Sequence, residues 1–305
     1  SIENEDIFKY LSHYGATTIT ADTKATLGTN HITNTGLVFG KDSVRSIAKG
    51  RHFVGKEIVT VKNGHDYEDH PAIHTPNYHS NGVLEIAGSD VVIKGGELKA
   101  KEELTVDSDV LTVKPLILRS HQEIHSKKRT LCGTESSSTV HHRERLLRPA
   151  ITSGNHLKLI IRKGQAVLTA PILKAREGHF DVPHGIAFPV GWETLFNTSS
   201  SSSPGFLTNT ARASGSSSRT PVSASIDFHR LAISGPVAVE VTDAQQEAKW
   251  RHLLEESGIP ITFRHVASLH HTWDHTQKTL GTGVMTCIAI GLGLVMPAMG
   301  AGIMG

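Results

Sequence analysis

A repeated pattern of short strands constrains this chain more than any other feature. In the middle of the chain, runs of about four residues alternate with turns of Gly, Ser and Asp, and Leu84 is followed twenty residues later by an equivalent Leu104. A second copy lies 75 residues further on, where Leu84 and Ile86 correspond to Leu159 and Ile161. Such a unit cannot bury its apolar edge alone, so it must stack on its neighbours. The repeat predicts a mainly β fold, a parallel β-helix.

An antiparallel sandwich of similar hairpins is the alternative fold, because two copies are fewer than repeat proteins usually contain. The 75-residue offset also places Leu98-Lys99-Ala100 on Leu173-Lys174-Ala175. The hairpin dipeptides Asn-Gly and Asp-Gly do not occur between these strands, which favours the β-helix. We therefore predict that 83–106 and 158–182 follow the same strand-turn-strand path, with their apolar side chains pointing inward.

The sequence predicts three successive parts. Residues 1–197 are assigned to β-helical repeats, with a polar excursion at 119–150 that protrudes as a hairpin turning near Gly133. Fifteen of the 28 residues at 198–225 are Ser or Thr, a composition that buries too little apolar surface to offset chain entropy, so this stretch is predicted to be a linker. The last part, 226–305, is predicted to contain a strand pair, two helices and an apolar tail.

The elements of the last part follow from local patterns. The strand pair lies at 231–233 and 237–241, where β-branched and apolar residues cluster. A helix capped by Thr242 or Asp243 comes next, and a second helix is predicted at 265–280.

The tail at 281–305 contains no Asp, Glu, Lys, Arg or His, and its length meets the ~20 residues that cross a bilayer. Seven of its residues are Gly, and Pro297 leaves only Val284 to Met296 as an unbroken apolar stretch. A stable span is therefore disfavoured. Contact with a membrane and packing against a partner segment both remain open for this tail.

Composition excludes several classes of protein. The 31 Lys and Arg nearly cancel the 29 Asp and Glu, so the whole chain has no strong field directed at nucleic acid or an anionic membrane. Cys132 and Cys287 form no CxxC pair, which excludes a disulfide scaffold, an all-cysteine zinc site and an iron–sulfur cluster. The sequence lacks a nucleophile elbow, a Walker loop and a GxGxxG motif before a helix. No catalytic residue and no cofactor are predicted.

Histidine is abundant, and two clusters are candidate metal sites. His271 and His275 would share one face of the second predicted helix, as in helical zinc sites, but Thr272 replaces the glutamate of HExxH and no third ligand can be named. The cluster from His65 to His79 contains two prolines and is predicted to be a polar loop. No metal ligand is assigned, and a metal-binding module is kept as an alternative function.

A glycan-active β-helical enzyme is the other alternative, because such enzymes place paired carboxylates on one sheet face. Here Glu102-Glu103 and Asp107 with Asp109 are predicted to lie in turns, which favours a non-enzyme. The region 119–163 contains ten Lys or Arg and three Glu. This excess predicts binding to an anionic glycan, lipopolysaccharide or nucleic acid, or else a solvated basic face. Aromatic residues for base stacking are absent from it, which argues against single-stranded nucleic acid.

Several segments, in order, carry a resemblance to a known family. They are Leu98-Lys99-Ala100 before Glu103-Leu104-Thr105-Val106, the Lys/Ser/Thr-rich stretch 126–140, Ile151 to Leu159, Gly235 to Val241, and His271-Thr272-Trp273-Asp274. The first three resemble the repeats of filamentous haemagglutinin and of the contact-dependent growth inhibition exoproteins of two-partner secretion. The last two resemble the possible-haemagglutinin region that precedes the variable toxin in that family.

The resemblance implies a long right-handed β-helical stalk and a structural role. The chain, which starts at Ser1-Ile2-Glu3, is expected to be a piece of a larger adhesin or toxin-delivery exoprotein, secreted through an outer-membrane transporter to the bacterial cell surface. Its expected partner is a target-cell receptor or an anionic glycan bound through 119–163. The secretion and toxin domains of the family are not recognisable in the sequence, so their activities are not carried over.

Overall fold

The computed structural model describes residues 18–131, 133–205, 208–255 and 258–280. These residues form a mainly β structure with one α-helix, in which two sheets are parallel and one is antiparallel. We call the parallel sheets A and B, and the antiparallel sheet the hairpin sheet.

The strands divide among the three sheets as follows. Sheet A contains β1 (Thr18–Ala21), β4 (Leu37–Gly40), β9 (Tyr78–Ser80), β11 (Glu97–Ala100), β15 (Ala150–Ser153), β18 (Ile172–Lys174) and β23 (Ser225–Asp227). Sheet B contains β2 (Lys24–Thr29), β3 (Ile32–Asn34), β5 (Ser43–Ala48), β6 (Arg51–Gly55), β10 (Val83–Lys94), β12 (Glu103–Lys114), β16 (His156–Ile161), β17 (Ala166–Leu168), β19 (Glu177–Asp181), β20 (Ile186–Phe188), β24 (Arg230–Ile233), β25 (Val237–Val241) and β26 (Ile261–His265). The hairpin sheet contains β7 (Ile58–Asn63), β8 (Asp66–Pro71), β13 (Leu116–Thr130), β14 (Gly133–Leu147), β21 (Gly191–Ser203), β22 (Thr208–Val222) and β27 (Leu269–Leu280).

The chain alternates between the two parallel sheets. Each passage adds one strand to sheet A and then one long or two short strands to sheet B, and the next passage pairs in parallel with the previous one. The two hairpins β13–β14 and β21–β22, and the shorter β7–β8, leave this path and join side by side as the hairpin sheet.

Equivalent side chains of successive strands stack in columns inside the molecule. One column of sheet B runs through Ala25, Val44, Leu84, Leu104, Leu157, Gly178 and Leu231. A column of sheet A runs through Val38, Tyr78, Leu98, Ile151, Leu173 and Ile226. All these side chains are buried. Because a one-residue slip would turn a whole strand's apolar set to solvent, this burial fixes the register.

The predicted inward side chains are confirmed. Leu84, Ile86, Leu159 and Ile161 are all 0% exposed, and Leu84 pairs with Leu104 as the twenty-residue spacing predicts. The two segments therefore share an alternating in-and-out pattern along their strands.

The 75-residue offset holds for only part of the repeat. Ile93 stacks above Leu168 through Val113, an offset of 75, but Ile86 stacks above Leu159 through Val106, an offset of 73. The corner between β16 and β17 contains two more residues than the corresponding bend in β10 and β12. Since two residues preserve the side-chain alternation, the same faces stay inward.

Glycines allow the chain to pass close to the preceding passage at the corners between sheets A and B. A Cβ atom added to Gly154 would lie 2.0 Å from the carbonyl oxygen of Lys101, and one added to Gly82 would lie 2.1 Å from that of Asp42. No side chain fits in that space. These corners therefore need glycine because of a backbone contact with the passage below.

A polar cluster lies within the first three passages, which the sequence did not predict. The Ser46 hydroxyl is 3.0 Å from the Tyr78 hydroxyl, and His52 Nε2 is 3.1 Å from that same Tyr78 oxygen. His52 Nδ1 lies 3.0 Å from the carbonyl oxygen of Ala87. Burial lowers the pKa of His52 to about 4 and raises that of Tyr78. His52 is therefore a neutral core residue near pH 7.

The predicted hairpin at 119–150 is confirmed, whereas the predicted linker at 198–225 is wrong. Strands β13 and β14 pair along their whole length, with Thr130 opposite Gly133 at the turn. The Ser-rich stretch forms most of β21 and β22, which pair with each other and with β14. Its composition cannot build a core, but a solvated sheet needs only paired backbone groups.

The C-terminal elements are confirmed in part. The strands at 231–233 and 237–241 exist as β24 and β25, but β24 pairs with β19 and β25 with β20 and β26. The first helix, α1 (Ala244–Leu254), is capped by Asp243, whose side chain accepts a hydrogen bond from the Gln246 N–H, and it buries Trp250 against Phe188.

The second predicted helix is wrong, because 265–280 contains strand β27. It pairs with β22 at the edge of the hairpin sheet, so tertiary pairing overrides the local pattern. The tail at 281–305 lies outside the described residues. Within the described part of the chain, no helix combines the length and apolar character that crossing a bilayer requires.

Candidate ligand-binding face

The basic residues of 119–163 do not form one patch. Three of them lie on sheet B, where Lys158 donates to Glu103 at 2.8 Å, Lys163 to Asp109 at 2.8 Å, and Arg162 to both oxygens of Asp107. Six others lie on β13 and β14: Arg119, Lys127, Lys128, Arg129, Arg143 and Arg145. The sequence cluster is therefore divided between two surfaces.

The carboxylates of sheet B lie in a strand, which corrects the predicted turn. Glu103, Asp107 and Asp109 all belong to β12 and face outward. The hydrogen bond from Lys158 is the main cause that lowers the pKa of Glu103. Because each carboxylate is paired with a cation, these groups act as charge partners between neighbouring strands.

Arg148 has a structural position. Its guanidinium donates hydrogen bonds to the carbonyl oxygens of Ala170, Pro171 and Ser223, each at 2.9 Å, and burial lowers its pKa. It therefore joins three segments where the long hairpins leave the parallel sheets, and it does not contribute to a surface charge.

The end of the β13–β14 hairpin carries free positive charge. Arg119 contacts Glu144 at 3.2 Å nearer the parallel sheets. Lys127, Lys128 and Arg129, by contrast, have no ion-pair partner among the described residues. We call these three residues the cationic tip.

A row of rings crosses one face of the hairpin sheet. Tyr67 stacks on His121 at 5.5 Å, and the Phe196 and Trp273 rings lie 5.6 Å apart. A Cβ atom added to Gly215 would lie 2.1 Å from Trp273, so the indole ring covers β22 at the one position without a side chain. The sequence indicated none of these contacts, because the rings come from strands far apart in the chain.

Beside this row lies a shallow depression that we call the trough, with a volume of about 590 Å³. His125 and Lys127 of β13 form one wall, and His275 and Gln277 of β27 form the other. Small side chains form its floor: Ser136, Ser138, Ser200, Ser202, Ala211 and Ala213. Register places all of them on the same face, in two adjacent rows across five strands.

The candidate metal residues are separated by the strand geometry. His271 and His275 lie on β27, where four residues span about 13 Å. His271 stacks on Trp273 at 5.8 Å, whereas His275 lines the trough. The described residues contain no group of three His, Cys, Asp or Glu side chains that could hold a metal ion.

The cluster from His65 to His79 is divided between strands, which corrects the predicted loop. Asp66 accepts a hydrogen bond from the Glu123 N–H at 2.7 Å, and Asp69 accepts one from the Arg119 N–H at 3.1 Å. These carboxylates join β8 to β13. His79 lies on sheet A, away from them.

Comparison with protein-family models, with curated proteins and with solved structures finds no match to this chain. The proposals below therefore rest on the sequence pattern and on the geometry of the described residues.

Proposed function

We propose that this chain is part of a long exported exoprotein similar to filamentous haemagglutinin and the contact-dependent growth inhibition proteins. In this proposal, the alternating strands of sheets A and B are successive turns of a right-handed parallel β-helix. The in-register columns of buried side chains support it, because each passage covers the apolar edge of the one before. This stacking is the observation that carries the proposal.

The proposed role is structural. The stacked passages form a stalk, and the hairpin sheet projects from it as the surface that contacts a target cell. The cationic tip supports this role, because unpaired Lys and Arg side chains attract an anionic glycan or an acidic receptor surface. Export through an outer-membrane two-partner transporter, a place on the bacterial surface and delivery of a distal toxin belong to the same proposal.

A binding assay tests the contact role. Purified chain is applied to Gram-negative bacteria and to epithelial cells, and bound protein is measured with and without a soluble anionic polysaccharide. Charge reversal of the tip, K127E/K128E/R129E, is expected to lower cell binding by about tenfold or more, since the variant repels anionic surfaces.

The matched control is K24E/K41E/K49E, which makes the same charge change at exposed positions of the stack. It is expected to bind as the native chain does. Equal binding by the two variants, or no binding by the native chain to any cell, would contradict the contact role.

A non-catalytic role is part of this proposal. The pairing of Glu103, Asp107 and Asp109 with cations supports it, because an acid–base pair needs carboxylates free to exchange protons. Screening the chain against polysaccharides and nucleic acids tests it. Turnover that is lost in H271A/H275A would contradict it.

A further inference from the structure

We propose that the trough on the hairpin sheet binds a linear acidic glycan, with the chain running along the strands from Trp273 towards the cationic tip. This inference rests on the proposed contact role and names the ligand class and the face that binds it. It assigns a function to the side of the hairpin sheet that carries the aromatic row, and none to the opposite side.

The lining of the trough matches the chemistry of a sugar chain. Its floor presents serine hydroxyls, which donate and accept hydrogen bonds as sugar hydroxyls do, and its walls present the His125 and His275 imidazoles and the Gln277 amide. The lining contains no large aliphatic side chain, so it offers no pocket for the apolar side chains that anchor a peptide.

The shape favours a chain over a compact ligand. A second depression of about 510 Å³ adjoins the trough and shares Ser202, Ala211 and Gln277 with it, ending near Gly133 and Pro204 at the tip. A third shares Lys127 and Ser136. The three form one groove that is open along its length and too shallow to enclose a small molecule.

The two ends of the groove differ in a way that suits an acidic sugar. At one end, the Trp273 ring lies across the sheet over Gly215 and beside Phe196, which offers an apolar surface for a pyranose ring. At the other end, Lys127 and Arg129 line the groove without an ion-pair partner in the described part of the chain. A carboxylate there would gain a charge-assisted hydrogen bond.

Titration with defined glycans tests this proposal. Hexasaccharides of hyaluronan, chondroitin and alginate, and their carboxyl-reduced counterparts, are titrated into the full chain by calorimetry while Trp emission is recorded. At least one acidic hexasaccharide is expected to bind more tightly than its reduced counterpart. In K127Q, the two forms are expected to bind equally, because the cation that distinguishes them is gone.

Two neighbouring serines give a matched pair of variants. Ser200 lies on the floor of the trough, whereas Ser199 points to the opposite face of the same strand. S200L fills the trough and is expected to weaken binding by about tenfold or more, while S199L is expected to change it less than about twofold. Circular dichroism of both variants checks that the sheet is retained.

The outcomes separate this inference from the contact role. If S200L and S199L bind the hexasaccharides equally, or if no acidic hexasaccharide binds better than its reduced form, the trough proposal is overturned even if cell binding depends on the tip. If the trough binds glycans but the chain attaches to no cell, the contact role fails and the trough proposal stands.

Discussion

The parallel stack and the hairpin sheet are both built of β-strands, but different forces hold them. In the stack, side chains such as Leu104 and Leu157 are completely buried and aligned from strand to strand. In the hairpin sheet, both faces contact solvent, and Ile124 on β13 is 50% exposed. Burial therefore fixes the stack, whereas backbone pairing, ion pairs and ring contacts fix the hairpin sheet.

The difference teaches where each region can change. A column of buried side chains leaves little freedom, because a protein interior is closely packed and each position depends on two neighbours. A solvated sheet accepts Ser, His, Lys and aromatic residues at nearly every position, so its side chains are free to form a binding surface. The following variants test this contrast, beginning with the largest expected effect.

Removing core volume gives the largest expected loss of stability. Leu104→Ala is expected to lower the free energy of unfolding by about 3 kcal/mol, because it removes buried contacts and leaves a cavity between two strands. Ile124→Ala is expected to change it by less than about 0.5 kcal/mol. Urea unfolding followed by circular dichroism measures both. Similar losses in the two variants would break the contrast between stack and hairpin sheet.

Acid is expected to destabilise the stack through His52. Its pKa is about 4 in the folded chain and 6.5 in its ordinary state, so the unfolded chain binds more protons between these values. Stability should therefore fall as pH drops through 6.5 towards 4, by about 3 kcal/mol in total.

The measurement is the difference in unfolding free energy between pH 7 and pH 4 for the native chain and for His52→Gln. The variant is expected to show a shallower decline, since it lacks the titrating group. Identical declines would show that other groups control the acid response.

Filling the space under Trp273 has a smaller expected effect. Gly215→Ala places a methyl group against the indole ring, so it should displace that ring from Phe196 at a cost of about 1 kcal/mol. Near-ultraviolet circular dichroism and Trp emission should change. The control is Gly28→Ala, where an added Cβ atom meets nothing within 4 Å, and its spectra should match those of the native chain.

The smallest expected effect comes from the ion pairs on sheet B. Asp107→Asn removes the partner of Arg162, whose side chain is 55% exposed, so the loss should stay below about 1 kcal/mol. High salt should reduce the difference from the native chain. Asp42→Asn, at an exposed position without an ion pair among the described residues, is the control. A salt-independent loss above 2 kcal/mol, flagged only as a rough bound, would show a role in packing.

Local patterns predicted the elements whose stability depends on nearby residues. The inward positions of Leu84 and Leu159, the hairpin turn at Gly133 and the cap at Asp243 all follow from alternation, composition or a polar residue before a helix. Each is decided by a few neighbours in the chain.

Pairing between distant strands decided the elements that were wrong. The Ser-rich 198–225 has no apolar pattern, and 265–280 has helix-like spacing, yet both become strands because a long hairpin offers its edge to them. The two-residue insertion between β16 and β17 is also invisible in a sliding comparison, because it preserves which faces point inward.

The sequence by itself determined that this chain must stack short strands, since the recurring apolar positions can be buried in no other way than against neighbouring copies. Only the tertiary structure decided the binding face. It divided ten basic residues between two surfaces, brought Trp273 over Gly215, and placed His125 and His275 on opposite walls of one trough. These groups are separated by up to 150 residues, and only the pairing of five strands determines their distances.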